Sequence, residues 1–278
     1  MNIKIDFKIA YLLLSTLIFV GSVSAQAAHK RTSYRGLNVV ILGDSNTSMG
    51  GDDGSNHKSW DKWFAKELGA ASCMSYARSG ATWTHADAAK KNPVQNAGAL
   101  EDDNVVYSQI VQLIEAYEAG KQPKPTLIII AAGADDAWFV SKRPGLLSRT
   151  PNDGFNIITT DSVSRHEPVS LTSLAEAVVY DCMLLNEAFP DAKIVIITPL
   201  QSAQITPERL ARVAGVLEDC SSALGIDVIR QDIELPVDRN EDMLHKKLTY
   251  DGTHTSAEGA ATDGHILAQR IAGILSKP

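Results

Sequence analysis

The chain has 278 residues, which fits one α/β domain or a domain with a small appendage. Hydrophobic residues make up 44% of the chain, enough for a full core, so the composition excludes a disordered protein. The formal net charge is -7, whereas a broad nucleic-acid-binding surface would be basic. We therefore expect a globular protein with no nucleic acid partner.

Residues 1–25 have the pattern of a secretory signal peptide. Basic residues precede a short apolar run, Ile9–Val20, and small residues come just before Gln26. The run is shorter than the roughly 20 apolar residues that a membrane-spanning helix needs. We therefore predict a secreted or periplasmic protein with no membrane span after cleavage, in which residues 26–278 form a single domain. An uncleaved N-terminal anchor is the alternative.

The three cysteines, Cys73, Cys182 and Cys220, are too few for a disulfide-dependent scaffold. They form no Cys-x-x-Cys pair and no histidine–cysteine cluster, so we expect no metal site. Cys182 and Cys220 fall on neighbouring predicted helices, where one disulfide between them is an alternative interpretation. Three buried free thiols are the favoured interpretation.

Short apolar runs alternate with helical patterns along the chain, which favours a parallel sheet covered by helices on both faces. In such a sheet, ligands bind beyond the carboxyl ends of the strands. One long irregular segment, 142–168, is of a length that is usually functional. The predicted strands are Leu37–Leu42, Ser72–Ala77, Thr126–Ala131, Lys193–Thr198 and Ile226–Ile229. The predicted helices are Lys58–Leu68, Val105–Ala119, Leu171–Phe189, Pro207–Leu224 and Ala257–Leu275.

The tetrapeptide Gly43-Asp44-Ser45-Asn46 follows the first predicted strand directly. At a strand-to-helix connection, the Ser45 hydroxyl would face the ligand cleft. The backbone N–H of Ser45 would lie near a helix start, where such groups bind anions. The same four residue types are common in ordinary turns, so the tetrapeptide alone also fits a turn without function.

The pentapeptide Tyr250-Asp251-Gly252-Thr253-His254 comes just before the last predicted helix. Asp251 and His254 are three residues apart, a spacing at which a carboxylate in a turn can reach the imidazole, fix its tautomer and stabilise its cation. Serine is a weak nucleophile until a base takes its proton, and His254 would be that base for Ser45. A surface turn with a solvated histidine is the alternative.

Two further blocks follow predicted strands: Ala77–Ala81, which contains Gly80, and Gly133–Asp136. As a set in one chain order, the four blocks resemble those of the SGNH hydrolase superfamily, also called GDSL-like esterases. The family blocks read Gly-Asp-Ser, then a Gly, then Gly-x-Asn-Asp, then Asp-x-x-His. The resemblance extends from Val39 to about Leu275. It implies a three-layer α/β/α sandwich with a flavodoxin-like parallel sheet, and a serine esterase that needs no cofactor or metal.

Residue by residue, the resemblance makes Ser45 the nucleophile, His254 the general base and then acid, and Asp251 the residue that orients the imidazole. It makes the backbone N–H groups of Ser45 and Gly80 two donors of an oxyanion hole. The third donor in the family is an Asn side chain, and that position is Asp135 here.

The aspartate is a departure from the family pattern with a chemical consequence. An ionised carboxylate only accepts hydrogen bonds and would repel an oxyanion, and loss of one donor costs about 10²–10³-fold in rate. Asp135 could be kept protonated by burial or by its neighbours Asp44 and Asp136, and its O–H could then donate. Alternatively, the Asn46 side chain substitutes, or the chain is a weakly active or non-catalytic carbohydrate-binding protein. We expect Asp44 and Asp136 to be structural.

Several side chains are candidates for the surroundings of the site. Trp138 is a candidate for substrate binding, by stacking on a sugar or an acyl group, and core packing or a lid contact is an equal alternative for it. Phe139 is placed equally well in the cleft or in the core, Trp83 and His85 are candidates for the rim, and His85 also fits a surface loop. The residues expected to pack or to lie on the surface are Trp60, Trp63, His57, His166, His245, His265, Arg143, Arg149 and Arg165.

The resemblance, together with the predicted export, favours acetyl or other short acyl esters, on a small molecule or a glycan, as the substrate. The same fold hosts other ester chemistries, so this remains an analogy. A phosphate loop at 43–48 is a rival interpretation. It lacks the Gly-x-x-x-x-Gly-Lys-Ser/Thr and Gly-x-Gly-x-x-Gly patterns and leaves Asp251 and His254 without a role.

Overall fold

A parallel β-sheet with helices packed on both of its faces forms the framework of the protein, as seen in a computed structural model. The predicted signal peptide, residues 1–25, lies outside the part of the chain that the structure describes. Within the described part, no helix is long and apolar enough to cross a membrane. The described residues are 34, 36–49, 56–85, 104–157, 171–234 and 247–277.

Five strands form the sheet in the order β2-β1-β3-β4-β5, and every neighbouring pair is parallel. This is the flavodoxin-like order, so the predicted fold is confirmed. Both the first and the last residue of each strand lie within two residues of the predicted ones. The strands are β1 Asn38–Gly43, β2 Ser72–Ser75, β3 Leu127–Ala131, β4 Lys193–Ile197 and β5 Asp227–Ile229.

The apolar run of β1 explains the three layers. Successive side chains of a strand point to opposite faces of a sheet, and both faces here must be apolar because helices cover both. Val40 and Leu42 join the core on one face, whereas Val39 and Ile41 join the core on the other. All four are fully buried.

The helices divide between the two faces. The core of one face includes side chains of α3, α6 and α7, and the core of the other includes side chains of α2 and α9. Two of the five predicted helices, α7 and α9, have the expected bounds, and the other three differ by one to three residues at their ends. The helices are α1 Ser45–Ser48, α2 Trp60–Leu68, α3 Val106–Glu118, α4 Ala134–Phe139, α5 Pro151–Ile157, α6 Leu174–Ala188, α7 Pro207–Leu224, α8 Gln231–Glu234 and α9 Ala257–Leu275.

The expectation of an irregular segment at 142–168 is wrong for α5. The Asp153 carboxylate accepts hydrogen bonds from the backbone N–H and the hydroxyl of Thr150, each at 2.8 Å. Pro151 occupies the first helical position, where its missing N–H costs nothing. Gly154 then allows close packing on α6, because a Cβ there would lie 2.9 Å from Val179 Cβ.

Close packing of α2 against α9 positions the chain just before α9. A Cβ on Gly264 would lie 2.3 Å from the backbone oxygen of Trp60, so only glycine fits at this contact. The Ser256 hydroxyl caps α9 by accepting a hydrogen bond from the Gly259 N–H at 3.0 Å. The start of α9, which follows His254 directly, is therefore held against the helix that follows the Ser45 turn.

The three cysteines are free thiols, and the structure shows no Cys182–Cys220 disulfide. Cys182 and Cys220 are buried, as expected. The expected burial of Cys73 is wrong, because Cys73 is only partly buried. It lies on β2, which is an edge strand of the sheet and is less covered than the central strands.

The order of the strands reverses between β1 and β3, and such a switch point leaves a crevice beyond the carboxyl ends of the two strands. Ser45 follows β1 directly, and Asp135 follows β3 after a short turn. The fold therefore brings the first and third motifs of the sequence to one crevice.

Asp181 is a buried acid in the middle of α6. It is fully buried, and both of its carboxyl oxygens lack a hydrogen-bond partner among the described residues. Burial, reinforced by the nearby charge of Asp136, raises the pKa of Asp181 well above its usual range. The folded protein therefore holds Asp181 protonated under conditions in which the unfolded chain ionises it.

This burial predicts a stability that depends on pH. Because the pKa of the folded state is raised, the contribution of Asp181 to stability is complete below the unfolded pKa of about 3.9 and is lost as pH rises through the folded pKa. Asp181→Asn cannot ionise and should therefore raise Tm at pH 8, by roughly 2–4 °C for each kcal/mol regained, and much less at pH 4. The measurement is thermal unfolding at the two pH values.

Asp219→Asn is the matched control, since it removes the same charge from an exposed position on α7. Its Tm should follow the wild type at both pH values. A Tm for Asp181→Asn that equals the wild type at pH 8 would show that Asp181 carries no such cost.

Candidate active site

Ser45 begins α1 at the carboxyl end of β1, and the local sequence accounts for its position. The Asp44 side chain caps the helix by accepting a hydrogen bond from the Asn46 N–H at 3.1 Å. Gly43 allows the turn to pass close to β3, because a Cβ there would lie 2.4 Å from the backbone oxygen of Ala131. Ser45 is only 9% exposed, so little of it is open to solvent.

Ser45, His254 and Asp251 form one chain of hydrogen bonds. The distance from His254 Nε2 to Ser45 Oγ is 2.9 Å, and the distance from His254 Nδ1 to Asp251 Oδ2 is 2.6 Å. Because a carboxylate only accepts, Nδ1 carries the proton in the second bond. The lone pair of Nε2 then faces the Ser45 hydroxyl. This arrangement can take a proton from Ser45.

The turn that carries Asp251 and His254 is built by the aspartate itself. Asp251 Oδ1 accepts hydrogen bonds from the backbone N–H groups of Thr253, at 2.9 Å, and His254, at 2.7 Å. Gly252 has a φ of 88°, which a residue with a side chain rarely adopts. One carboxylate oxygen therefore shapes the turn while the other binds the imidazole.

Asp251 stays ionised in this environment. Burial alone would raise its pKa, but the hydrogen bonds from the His254 ring and from the N–H groups of His254 and Thr253 outweigh burial and lower the pKa of Asp251. A carboxylate that keeps its charge can stabilise the imidazolium that forms when His254 takes a proton.

The segment that contains Gly80 lies beside the Ser45 turn. The Arg78 N–H donates to the backbone oxygen of Gly43 at 3.0 Å, which joins the two segments directly. The Ala81 N–H donates to the Arg78 oxygen at 3.1 Å and closes a β-turn in which Gly80 has a φ of 78°. The N–H groups of Ser45 and Gly80, which the family resemblance makes donors of an oxyanion hole, therefore belong to neighbouring segments.

Asp135 is partly buried in the first turn of α4, near the buried acids Asp44 and Asp136. Burial, followed by the charges of Asp44 and Asp136, raises the pKa of Asp135 well above its usual range, and Arg143 opposes the shift. Burial also raises the pKa of Asp44 to about 6, against the hydrogen bonds that it accepts from Asn46 and Ala134. A protonated Asp135 can donate a hydrogen bond, which an ionised one cannot.

Comparison with known proteins places the chain in a family. The sequence profile of the family described as GDSL-like Lipase/Acylhydrolase matches residues 39–266. This chain belongs to the GDSL-like lipase/acylhydrolase family. It is therefore an ester-hydrolysing enzyme with a small-molecule substrate. No match was found among curated proteins.

Solved structures resemble this GDSL-like hydrolase in fold. A possible lipase from Chitinophaga pinensis DSM 2588 is similar with a TM-score of 0.55 at 15% identity, over 86% of this chain and 99% of that one. A protein from Lactobacillus plantarum gives 0.53 at 12% identity, over 86% and 96%. The lipase/acylhydrolase from Enterococcus faecalis gives 0.50 at 15% identity, over 86% and 97%.

Two predicted contacts of the substrate remain predictions in this GDSL-like hydrolase. Trp138 is 40% exposed and lies one helical turn after Asp135 on α4, so its ring is open to a ligand. Asn46 lines a small buried cavity with Gln231 and Asp263, and its Oδ1 has no partner among the described residues.

The expected place of Trp83 at the rim is wrong. Its side chain is fully buried, and its indole N–H donates to the backbone oxygen of Ala132 at 3.2 Å. Phe139 is also buried, which decides for the core. Asp136 explains the burial of Trp83. Its carboxylate accepts hydrogen bonds from the backbone N–H of Trp83 and from the Thr84 hydroxyl, each at 2.9 Å. The expected structural role of Asp136 fits these bonds.

Arg143 differs from the expected solvated loop charge. Its guanidinium donates to the Thr84 hydroxyl at 2.9 Å and lies 4.6 Å from the centre of the Phe139 ring. Arg149 is exposed, as expected, and pairs with the partly buried Glu176.

His85 accepts a hydrogen bond from the Leu171 N–H on its Nδ1 at 3.2 Å, rather than being free on a loop. The predictions for His166, His245 and Arg165 lie outside the described residues.

Trp60, Trp63, His57 and His265 are packing or surface residues, as expected. Trp60 is buried, and its indole N–H donates to the hydroxyl of Thr47 in α1 at 3.1 Å, so Trp60 packs against α1. Trp63 donates to the backbone oxygen of His57, and His265 is exposed beside Gln269. None of them contacts Ser45 or His254 in the described part of the chain.

Gln109 and Tyr250 are site residues that the sequence analysis missed. The buried Gln109 amide pairs with Gly43 by two hydrogen bonds of 2.8 Å, one to its N–H and one to its oxygen. A glutamine on the apolar face of a helix was the available signal. The Tyr250 ring is 45% exposed and stacks on the His254 ring, with centres 5.9 Å apart.

The Asp251 contacts predict a large loss of kcat when a single carboxyl oxygen of Asp251 is replaced by an amide nitrogen. Asp251→Asn keeps the shape but has one acceptor oxygen in place of two and carries no charge, so it cannot both shape the turn and orient and stabilise the His254 ring. We expect kcat for ester hydrolysis to fall about 10⁴-fold. Asp191→Asn, at an exposed carboxylate paired with Lys124, is the control and should keep wild-type kcat. A loss below tenfold for Asp251→Asn would contradict the orienting role.

Proposed function

We propose that this enzyme is a serine esterase that hydrolyses acetyl or other short acyl esters through an acyl-enzyme on Ser45. The observation that carries the proposal is the position of His254, with Nε2 2.9 Å from Ser45 Oγ and Nδ1 2.6 Å from Asp251. This order of nucleophile, base and orienting carboxylate is the one that activates a serine.

In the acylation step, Ser45 Oγ attacks the ester carbonyl carbon while His254 Nε2 takes the hydroxyl proton. The carbonyl oxygen becomes an oxyanion in a tetrahedral intermediate. When the intermediate collapses, the bond to the alcohol oxygen breaks and His254 returns the proton to the leaving alcohol. The ionised Asp251 stabilises the transient imidazolium, because it is bound to Nδ1 throughout.

In the deacylation step, water takes the place of the alcohol. His254 removes a proton from the water, which attacks the acyl carbon. Collapse of the second intermediate then returns a proton to Ser45 Oγ and releases the carboxylic acid. No cofactor or metal is required by this sequence of proton transfers.

The proposed oxyanion hole has three donors. The Ser45 N–H belongs to the first residue of α1, so the helix supplies no acceptor for it. The Gly80 N–H comes from the adjacent β-turn, and the third donor is the O–H of a protonated Asp135. What supports a protonated Asp135 is its partial burial beside the buried Asp44 and Asp136, since adjacent carboxyl groups do not all ionise.

The exposed rings around the crevice favour a carbohydrate ester as the substrate. Tyr250 stacks on His254, and Trp138 lies one turn after Asp135, each with about two fifths of its surface exposed. Exposed aromatic faces beside polar groups suit the apolar faces of sugar rings. Removal of residues 1–25 during export would place the enzyme in the periplasm or outside the cell, where acylated glycans are found.

The first test is a screen of p-nitrophenyl esters of increasing acyl length and of acetylated glycans. We expect the wild type to hydrolyse short acyl esters and Ser45→Ala to lose at least about 10⁴-fold in kcat. Ser48→Ala is the matched control, since it removes a hydroxyl one turn later in the same helix, and should keep near wild-type rates. Equal rates for Ser45→Ala and the wild type would reject Ser45 as the nucleophile.

The second test addresses the protonation of Asp135. Loss of solvent contact, followed by the charges of Asp44 and Asp136, raises the pKa of Asp135, whereas the charge of Arg143 opposes the shift. Because its pKa is raised, the O–H donor is present below that pKa and is lost as pH rises through it. The kcat of the wild type should therefore fall on the alkaline side, whereas Asp135→Asn, a permanent donor, should keep its kcat there.

Asp135→Ala separates the donor from the charge in the same experiment. It lacks both, so we expect about 10²–10³-fold lower kcat at acidic pH and no alkaline fall. A large loss for Asp135→Asn at every pH, equal to that of Asp135→Ala, would contradict the donor role.

A further inference from the structure

Asn104 makes one hydrogen bond that bears directly on the proposed oxyanion hole. Its side-chain nitrogen Nδ2 lies 2.7 Å from the backbone oxygen of Ser79. Because a carbonyl oxygen only accepts, the amide nitrogen must be the atom that faces it. Asn104 is 7% exposed, so this bond is protected from water. It joins residues that are 25 positions apart in the chain.

The oxygen that Asn104 binds belongs to the same peptide unit as the Gly80 N–H. A peptide unit is planar and trans, so its C=O and N–H point in opposite directions. A donor that fixes the Ser79 oxygen therefore also fixes the direction of the Gly80 N–H. The bond polarises the peptide as well, which makes the N–H a better donor.

Ser79–Gly80 is the peptide of the β-turn whose orientation can reverse without opening the turn. The hydrogen bond from Ala81 N–H to Arg78 oxygen makes Ser79 and Gly80 the two central residues of the turn. The φ of 78° at Gly80 is that of a type II turn. A glycine at this position also allows the type I turn, in which the central peptide is rotated and its N–H points the other way.

The backbone around Asn104 is itself anchored to the chain beyond the turn. The Thr82 N–H donates to the Asn104 oxygen at 3.2 Å, and the Val106 N–H donates to the Thr82 oxygen at 2.9 Å. On the next turn of α3, Gln109 pairs with Gly43, two residues before Ser45. The start of α3 and the residues just before it therefore hold both segments that carry the proposed N–H donors.

We propose that Asn104 is a positioning residue that holds the Ser79–Gly80 peptide in the orientation that aims the Gly80 N–H at the oxyanion. The inference rests on the proposed function, since it concerns the oxyanion hole of the same site. It assigns Asn104 an effect on the transition state and none on the binding of the ester in its ground state.

The test compares Asn104→Ala and Asn104→Asp with Gln122→Ala as the matched control. Gln122 is also buried, and its amide also donates to a backbone oxygen, that of Pro123 at 3.0 Å, near the opposite end of α3. Asn104→Asp keeps the shape and presents an acceptor in place of the donor. The readouts are kcat and KM for p-nitrophenyl acetate, and Tm to compare the loss of stability.

For both Asn104 variants we expect kcat to fall about 10–100-fold, less than the loss of a direct donor, with KM within about threefold of wild type. The Gln122→Ala variant should lose a similar amount of Tm and keep its kcat. An unchanged kcat in Asn104→Ala, a loss confined to KM, or an equal kcat loss in Gln122→Ala would each overturn the positioning role.

Wild type and Ser45→Ala are assayed alongside, which keeps the two proposals apart. Hydrolysis by the wild type that Ser45→Ala lacks, together with unchanged Asn104 variants, overturns the Asn104 inference alone. Equal hydrolysis by the wild type and Ser45→Ala overturns the proposed function and the inference with it.

Discussion

The hydrogen bond between His254 Nε2 and Ser45 Oγ, 2.9 Å long, is the contact on which the rest of the site depends. It joins residues 209 positions apart, so it depends on the packing of distant parts of the chain. The reversal of strand order between β1 and β3 provides the crevice, and the packing of α9 against α2 brings the His254 turn to it. A local motif at either end of the chain acquires chemistry only through this long-range contact.

Two carboxyl groups of the site are driven in opposite directions by their surroundings. Asp251 accepts three hydrogen bonds and its pKa is lowered, whereas Asp135 is partly buried beside other acids and its pKa is raised. Such separation of pKa values lets one carboxylate support a cation while a neutral acid donates to an anion. A residue type that looks unsuited to an oxyanion hole can therefore serve there, provided that the environment keeps it protonated.

The features that could be predicted from the sequence are those with a local pattern. The apolar runs predicted the strands, and the Asp-x-x-His spacing predicted the contact of Asp251 with His254. The features that were missed depend on contacts between distant segments. Asp136 accepts a hydrogen bond from the buried Trp83, and Gln109 binds Gly43, which is 66 positions away in the sequence. No local pattern carries that information, because the partner is chosen by the packing of α3 and α4 on the sheet.

Covalent labelling of Ser45 by a fluorophosphonate, mapped by peptide mass spectrometry, tests the central claim most directly. The account predicts one adduct, on Ser45, that forms readily in the wild type and is lost when His254 is changed to Ala. Folding of the variant is checked by Tm, so that lost labelling reports lost activation. An adduct on another residue, or labelling of Ser45 at the same rate in His254→Ala, would contradict the account.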